Sequence, residues 1–275
     1  MLIKASYIRA SKILISLIII LLSFSTYSLI NIPDLNALQG EIALDKEQYY
    51  GRDFTNKIEA YKNTDGIKNF LQTVISINQL PLNYETAKFN IFRKIDLILN
   101  NGKYAIKDVY CQKIYTAGIG PDKVPHYELL NVEHTWPQSR FNKKYPTQLQ
   151  KSDLHHLFPS DSLMNNKRGN YKFGIVNNSA EPLKCDESKL GRTSDGYRFE
   201  PPNCHKGEVA RAIFYFSTRY SLDIDSDEED VLRKWSKDDP PDQVELTRHE
   251  EVFKTQHNRN PFIDFPGLED SIKNF

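Results

Sequence analysis

Apolar side chains recur at helical spacing at several places in the first hundred residues. The pattern predicts helices over residues 45–61, 67–79 and 83–100. One face of the longest of these carries four apolar residues, namely Phe89, Phe92, Ile95 and Leu99. Asn101 and Gly102 follow directly, and such a pair is typical of a helix C-terminus.

Shorter apolar runs follow, and they predict strands. The strands expected are those around residues 104–111, 129–132 and 154–158. Ser160 is then predicted to cap a short helix over residues 162–167, which Gly169 ends. The order strand, loop, strand, helix brings together polar residues from the end of the strand at 129–132 and from the short helix.

The C-terminal third of the chain is predicted to be mainly helical. A loop-rich segment over residues 177–204 precedes helices over residues 207–220, 231–236 and 242–256. Pro261 prevents the last of these helices from continuing. Together the elements predict an α+β fold, in which a mainly helical scaffold surrounds a small antiparallel sheet.

The first 28 residues have the three parts of a secretory signal peptide. A positively charged leader precedes an apolar run over residues 13–24, and small or polar residues continue to Ser28. An uncleaved membrane anchor is the alternative, although the run falls short of the ~20 apolar residues that span a bilayer. The prediction is an exported protein, periplasmic or extracellular. Residues 29–80 are then a partly helical extension, and residues 81–275 are the main domain.

The 36 basic and 36 acidic side chains balance, so the chain has no overall positive charge of the kind that indicates nucleic-acid binding. The distribution is nevertheless uneven. Residues 101–180 carry eleven Lys or Arg against six Asp or Glu, whereas residues 221–251 carry four against twelve. A locally basic surface remains compatible with a polyanionic partner. The acidic run is interpreted as a solvated helix face.

Three cysteines are present, and at least one disulfide bond is expected in an exported protein. Cys185 and Cys204 enclose a loop-rich stretch and are the predicted pair, which leaves Cys111 unpaired. The chain has no Cys-x-x-Cys motif, so a structural zinc site is not expected.

The interval over residues 131–170 concentrates residue types suited to phosphodiester hydrolysis. Glu133 and the carboxamide of Asn165 or Asn166 offer oxygen ligands for a hard divalent cation such as Mg²⁺. His134 is suited to act as a general base near neutral pH. Side chains alternate along a strand, so Glu133 can hold the metal while His134 faces the attacking water.

Other polar residues of the interval have more than one interpretation. His155 and His156 are expected to be core or turn histidines that support the site rather than bind metal. Arg168 can equally form a buried salt bridge or contact a substrate phosphate.

The interval resembles the bacterial endonuclease I family of secreted and periplasmic nucleases. The similar residues are Glu133-His134, Trp136-Pro137-Gln138-Ser139, Asp153-Leu154-His155, Leu157, Pro159-Ser160, Asn165 and Arg168-Gly169-Asn170. Further similar segments are Gly207-Glu208-Val209-Ala210-Arg211 with Phe214-Tyr215, then Trp235, and Asn258-Arg259-Asn260-Pro261-Phe262. The resemblance covers most of the chain after residue 82, which makes residues 81–275 an endonuclease I-like nuclease domain.

The resemblance implies a ββα-metal (His-Me finger) site that hydrolyses DNA, and RNA too, without sequence specificity and leaves 5′-phosphate ends. It assigns His134 as the general base and Glu133 and Asn165 as ligands of one Mg²⁺, for which Mn²⁺ or Ca²⁺ can substitute. It also implies an arginine near the scissile phosphate, and Arg140 occupies that loop, with Lys143 and Lys144 nearby. No stable protein partner is implied, so a monomer is expected.

Two alternative functions follow from the same residues. A secreted ribonuclease or general phosphodiesterase would use the same metal and base, because neither senses the 2′-hydroxyl. An inactive exported nucleic-acid-binding protein is the other, but it would have no need of Glu133, His134 and Asn165 together.

Overall fold

The computed structural model describes residues 46–177 and 181–275. The predicted signal peptide over residues 1–28 lies outside the described residues. Residues 53–275 form one compact unit, and of the preceding unit only residues 46–52 are described, with residues 46–50 helical. Within the described ranges, no helix has both the length and the apolar character needed to cross a membrane.

Helices account for more of the compact unit than strands do. They are α1 Phe54–Tyr61, α2 Gly66–Ser76, α3 Tyr84–Asn90, α4 Thr147–Lys151, α5 Ser162–Arg168, α6 Lys206–Tyr220, α7 Ser226–Asp238, α8 Gln243–Gln256 and α9 Pro261–Asp264. A π-helical turn over Ile91–Ile95 continues α3. Short 3₁₀ turns occur at Gln138–Arg140, Leu154–His156, Asn203–His205 and Leu268–Ser271.

The strands form three small sheets. They are β1 Ile98–Asn100, β2 Lys103–Lys107, β3 Ile114–Tyr115, β4 Leu130–His134, β5 Leu157–Asp161, β6 Lys172–Phe173, β7 Lys189–Thr193 and β8 Gly196–Glu200. The sheet orders are β1-β2-β3, β4-β5 and β6-β8-β7. Every pairing is antiparallel except the one between β6 and β8. The α+β class with small antiparallel sheets is therefore confirmed, with one parallel pair added.

Helix α6 lies at the centre of the compact unit, and every residue from 209 to 220 is buried. Helix α2 places Ile67, Leu71 and Ile75 four residues apart on one stripe and packs this stripe toward α6. Helix α7 packs on α6 as well. The compact unit begins at Asp53. The division at residue 81, between the extension and the nuclease domain, stays a prediction.

The helix predicted over residues 83–100 is shorter in the structure. Asn83 caps it by accepting a hydrogen bond from the Thr86 backbone NH, but the chain becomes extended at β1. Leu99, predicted on the apolar face, is 70% exposed and pairs with Tyr104 of β2. Asn101 and Gly102 both have positive φ, so they form the turn of a β-hairpin rather than a helix end.

The predicted cap of α5 is wrong by one residue. Ser160 lies within β5, and Asp161 is the capping residue. Its Oδ1 accepts hydrogen bonds from the Leu163 and Met164 backbone NH groups at 3.0 and 3.2 Å. The helix itself, predicted over residues 162–167, is confirmed with one residue more.

The predicted disulfide is also wrong: Cys111 bonds to Cys185, and Cys204 is a free thiol. The Asp108 carboxylate accepts hydrogen bonds from three backbone NH groups, those of residues 110, 111 and 113, which fold this segment into a tight turn. Ser188 donates to the Tyr110 carbonyl across the contact at 2.8 Å. This long-range contact brings Cys111 and Cys185 together, whereas Cys204 lies in the turn that begins α6.

We expect Cys111→Ser to destabilise the fold by ~4 kcal/mol, because the bond closes a loop of 74 residues in the unfolded chain. Cys204→Ser is the matched control and should leave the free energy of unfolding nearly unchanged. Chemical denaturation measures both values. Peptide mapping without reductant gives an independent check, and a linked Cys185–Cys204 peptide would contradict the assignment.

Candidate active site

Strands β4 and β5 with helix α5 form the core of the candidate site. Glu133 pairs with Phe158, and His134 pairs with Leu157, in an antiparallel register. Successive residues of a strand point to opposite sides, which separates the two functional side chains. Helix α5 packs against both strands and adds Asn165 and Arg168. The predicted order of strand, loop, strand and helix is therefore present.

A polar groove of about 430 Å³ opens where these three elements meet. Its lining includes four of the predicted site residues, namely Glu133, His134, Asn165 and Arg168. It also includes residues that the sequence did not single out for the site, namely Tyr84, Asn131, Lys151, Gln138, Ser139, Gly169 and Asn170. Five predicted residues do not line it, namely Arg140, Lys143, Lys144, His155 and Asn166.

The tautomer of His134 follows from its hydrogen bonds. Its Nε2 lies 3.0 Å from the Lys151 carbonyl oxygen, which can only accept, so Nε2 carries the proton. Nδ1 is then unprotonated and accepts a hydrogen bond from Gln138 Nε2 at 3.4 Å. Gln138 is itself a groove residue. His134 can therefore take a proton through Nδ1 on the groove side.

The surroundings of His134 keep it uncharged. Burial, helped by the neighbouring His156, lowers the pKa of His134 from the usual 6.5 to about 3. The Tyr84 ring stacks on the imidazole with ring centroids 5.5 Å apart. Lys151 Nζ lies 4.4 Å from the centroid of that tyrosine ring. At neutral pH the imidazole is the free base, which is the form that a general base requires.

Glu133 is buried, and one of its oxygens is held by two donors. Arg168 Nη1 lies 2.8 Å from Oε1, and the Tyr110 hydroxyl donates to the same oxygen at 2.9 Å. Burial raises the pKa of the Glu133 carboxyl, while the Arg168 charge and the Tyr110 hydrogen bond oppose that rise. Burial and the Glu133 charge raise the pKa of Tyr110 well above its usual value, so Tyr110 stays a donor.

The residues of the groove fit a hard divalent cation. Asn165 donates from Nδ2 to the Val132 carbonyl at 3.2 Å, and this bond fixes which end of the carboxamide is the oxygen. Among the described residues, no hydrogen bond engages Asn165 Oδ1 or Glu133 Oε2. One carboxylate oxygen and one carboxamide oxygen are thus left for an ion that keeps most of its waters. Asn166, by contrast, is exposed outside the groove.

Arg168 is held by the protein on several sides. Its guanidinium donates to the carbonyl oxygens of His134 and Thr135 at 2.9 and 2.6 Å, in addition to its ion pair with Glu133. It also stacks over the Phe173 ring, with the guanidinium carbon 4.6 Å from the ring centroid. These contacts agree with a structural role for Arg168, and since Arg168 also lines the groove, a contact to a substrate phosphate stays a prediction beside it.

The three basic residues predicted to contact phosphate lie outside the groove. Arg140 pairs with the buried carboxylate of Glu228 at 3.2 Å and stacks on Trp136 at 4.9 Å. Lys143 and Lys144 are exposed on the following turn. Besides Arg168, the groove is lined by one further cationic side chain among the described residues, that of Lys151. It comes from the last turn of α4, where no motif pointed to it.

His155 and His156 support the hydrophobic interior. His155 bonds through Nε2 to the Asn258 carbonyl at 3.0 Å, and its ring packs on Tyr215. His156 bonds through Nε2 to the Gln150 carbonyl at 2.9 Å, and its ring packs on Phe216. Neither histidine lines the groove, in agreement with their interpretation as core residues.

A larger cavity of about 630 Å³ contains none of the candidate catalytic residues. Four of its charged groups are paired with one another: Arg248 makes two hydrogen bonds to Asp96, and Arg211 pairs with Glu245. The smaller groove is the better candidate because Glu133, His134 and Asn165 all line it.

Comparison with known proteins places the chain among nucleases. A model of the endonuclease I family matches residues 63–267. The extracellular ribonuclease of Bacillus subtilis (strain 168) is 32% identical over 232 residues, 77% of this chain and 75% of that protein. The extracellular ribonuclease of Bacillus amyloliquefaciens is 37% identical, over 52% of this chain and 53% of that protein. The periplasmic deoxyribonuclease of Aeromonas hydrophila is 29% identical, over 51% and 60%. The matches thus span about half to three quarters of these relatives' lengths.

We expect Arg168→Met to destabilise the protein by ~3–5 kcal/mol, because it leaves the buried Glu133 charge without its partner. Adding Glu133→Gln should recover much of that loss, since no unpaired charge then remains. Lys167→Ala, on the exposed side of the same helix, is the control and should change stability by about 0.5 kcal/mol or less. Chemical denaturation measures the parent protein, the single variants Arg168→Met and Glu133→Gln, the double variant and the control. A double variant as unstable as the sum of both single changes would rule out this account.

Proposed function

We propose that this chain, which belongs to the endonuclease I family, is an exported, Mg²⁺-dependent endonuclease that hydrolyses DNA and RNA. The observation that carries the proposal is the state of His134. Its Nε2 proton is held by the Lys151 carbonyl, and its basic Nδ1 faces Gln138, which lines the groove together with Glu133 and Asn165. A buried neutral histidine in a groove with two oxygen ligands is an arrangement that can hydrolyse a phosphodiester.

His134 acts as the general base in the proposed reaction. Its Nδ1 takes a proton from a water molecule in the groove as that water attacks the phosphorus. The imidazolium that forms is stabilised by the Lys151 carbonyl, which already accepts from Nε2. The stacked Tyr84 ring keeps the imidazole plane fixed during the transfer. The oxygen that leaves is the 3′ oxygen, so the product carries a 5′-phosphate.

Glu133 and Asn165 would hold the divalent ion. When bound, Mg²⁺ supplies charge relief to a nonbridging phosphate oxygen and to the departing 3′ oxygen. Arg168 and Tyr110 orient the Glu133 carboxylate by holding Oε1, so that Oε2 remains for the ion. Together with the His134 base, β4, β5 and α5 would form the ββα-metal motif.

Contacts to phosphate, rather than to bases, would position the substrate. Phosphate contacts carry no sequence information, so cleavage would be independent of sequence. The metal and the base do not sense the 2′-hydroxyl. Relatives named as ribonuclease and as deoxyribonuclease support activity on both nucleic acids.

Export agrees with the relatives, which are named extracellular or periplasmic. It also agrees with the Cys111–Cys185 bond, because disulfides persist in oxidising compartments. Digestion of duplex DNA, single-stranded DNA and RNA side by side separates the endonuclease from a dedicated ribonuclease. Binding without cleavage of any of them would indicate the inactive binding protein.

We expect His134→Ala and Asn165→Ala each to reduce Mg²⁺-dependent plasmid nicking by ~10²-fold or more. Higher Mg²⁺ should partly restore the Asn165 variant, because it lacks a ligand, but not the His134 variant, which lacks the base. His126→Ala and Asn166→Ala are matched controls at exposed positions and should keep normal activity.

Two results of this experiment would overturn the assignments. Nicking by His134→Ala at the rate of the parent protein would contradict the assignment of His134 as the general base. Full activity in chelator would contradict the dependence on a metal ion.

We propose that Lys151, rather than Arg140, contacts the substrate phosphate. Lys151→Met keeps the backbone carbonyl that holds His134. We expect this variant to bind DNA more weakly and to lower the slope of the logarithm of the binding constant against the logarithm of the salt concentration by about one. Arg140→Ala should instead lower stability, because Glu228 loses its partner. Fluorescence anisotropy at several salt concentrations, in chelator, measures the slopes. A lower slope in Arg140→Ala and an unchanged one in Lys151→Met would restore Arg140 as the phosphate contact.

A further inference from the structure

Two exposed tyrosines form a stacked pair close to the groove. The rings of Tyr171 and Tyr197 have centroids 5.5 Å apart and planes inclined by 29°. The two side chains are 38% and 37% exposed. Each ring therefore keeps part of its apolar surface accessible to a ligand.

The register of the third sheet explains where this pair lies. Strands β6 and β8 run parallel, with Lys172 opposite Arg198 and Phe173 opposite Phe199. Tyr171 lies two residues before Phe173, and Tyr197 lies two residues before Phe199. Side chains two residues apart along a strand lie on the same face, so the two tyrosines share the face of the two buried phenylalanine rings. Arg192 of β7 is the antiparallel partner of Tyr197 and is exposed. The aromatic face thus continues from the interior to the surface and ends beside a cation.

The pair begins where the groove ends. Gly169 and Asn170 line the groove and directly precede Tyr171. The Tyr171 backbone NH donates to the Arg168 carbonyl at 3.2 Å, which ties the first tyrosine to the end of α5. Arg168 in turn stacks over Phe173 on the same face. A strand that leaves the scissile position along this side of the groove would pass over the two rings.

The simpler interpretation is that the tyrosines only cover the edge of the core. In that case the rings would serve by burying Phe173 and Phe199, and any large apolar side chain would do as well. The retained exposure of both rings favours a binding role, and substitution by leucine distinguishes the two interpretations because leucine covers apolar surface without an aromatic face.

We propose that Tyr171 and Tyr197 form a stacking platform for an unpaired nucleobase of the substrate strand next to the scissile phosphate. This inference rests on the proposed nuclease function. A base within a duplex has both faces occupied by its neighbours, whereas an unpaired base of DNA or RNA can stack on a protein ring. The platform therefore gives the enzyme a preference for single-stranded nucleic acid. The metal ion and the general base His134 alone would not supply this preference.

The test compares the affinities of oligonucleotides of equal length as single-stranded DNA, single-stranded RNA and duplex DNA, by anisotropy in chelator so that nothing is cleaved. We expect Tyr171→Leu/Tyr197→Leu to weaken binding of both single strands by about tenfold and to leave duplex binding unchanged. Tyr171→Phe/Tyr197→Phe should keep the parent affinities. Tyr104→Leu, at an exposed tyrosine of another sheet, is the matched control.

Each remaining outcome has a definite meaning. Unchanged single-strand affinity in the leucine variant, or an equal loss for duplex and single strands, overturns the platform. A loss in the phenylalanine variant also overturns it, because stacking does not need the hydroxyl. A parent protein that binds none of the three nucleic acids refutes the proposed function itself. Thermal unfolding of each variant verifies the fold, and the single variants Tyr171→Leu and Tyr197→Leu replace the double one if it unfolds.

Discussion

The buried ion pair between Arg168 and Glu133 is the interaction on which the site depends. A lone carboxylate at that depth would lose most of its charge, because burial disfavours the ionised form. Arg168 opposes this loss of charge and also binds the carbonyl groups at the end of β4, so one side chain acts on both the charge of Glu133 and the position of the strand end. The local fold and the charge of the groove therefore both depend on Arg168.

Backbone carbonyls make the second set of constraints. His134, His155 and His156 are all buried, each bonds a main-chain carbonyl through Nε2, and burial lowers the pKa of each to about 3. Proton affinity consequently does not distinguish the three. The three histidines differ in the residue next to Nδ1. Among the described contacts, only the Nδ1 of His134 meets a residue that lines the groove, namely Gln138. The position of Nδ1 relative to the groove, rather than the pKa, therefore identifies His134 as the candidate general base.

The sequence predicted what depends on neighbours along the chain. Helices α6 and α8 were predicted because their apolar positions repeat at helical spacing. Glu133 and His134 were proposed as an adjacent acid and histidine at a strand end, whereas the choice of Asn165 over Asn166 came only from the resemblance to the endonuclease I family. The Asn101-Gly102 pair was misinterpreted since it suits both a helix end and a hairpin turn. Tyr84, Lys151 and the Cys111–Cys185 bond depend on contacts between distant segments, which local pattern does not encode.

The Cys111–Cys185 bond also gives the chain a useful topology. Strands β4 and β5 and helix α5 all lie between the two cysteines in sequence, so the candidate site sits inside a closed covalent ring. A protease that cut the exposed turn at Lys143 and Lys144 would open the ring without releasing a fragment. The two pieces would stay joined through sulfur, and the packed groove would keep its parts. For an exported enzyme, one bond between distant residues thus confers tolerance to a backbone cut.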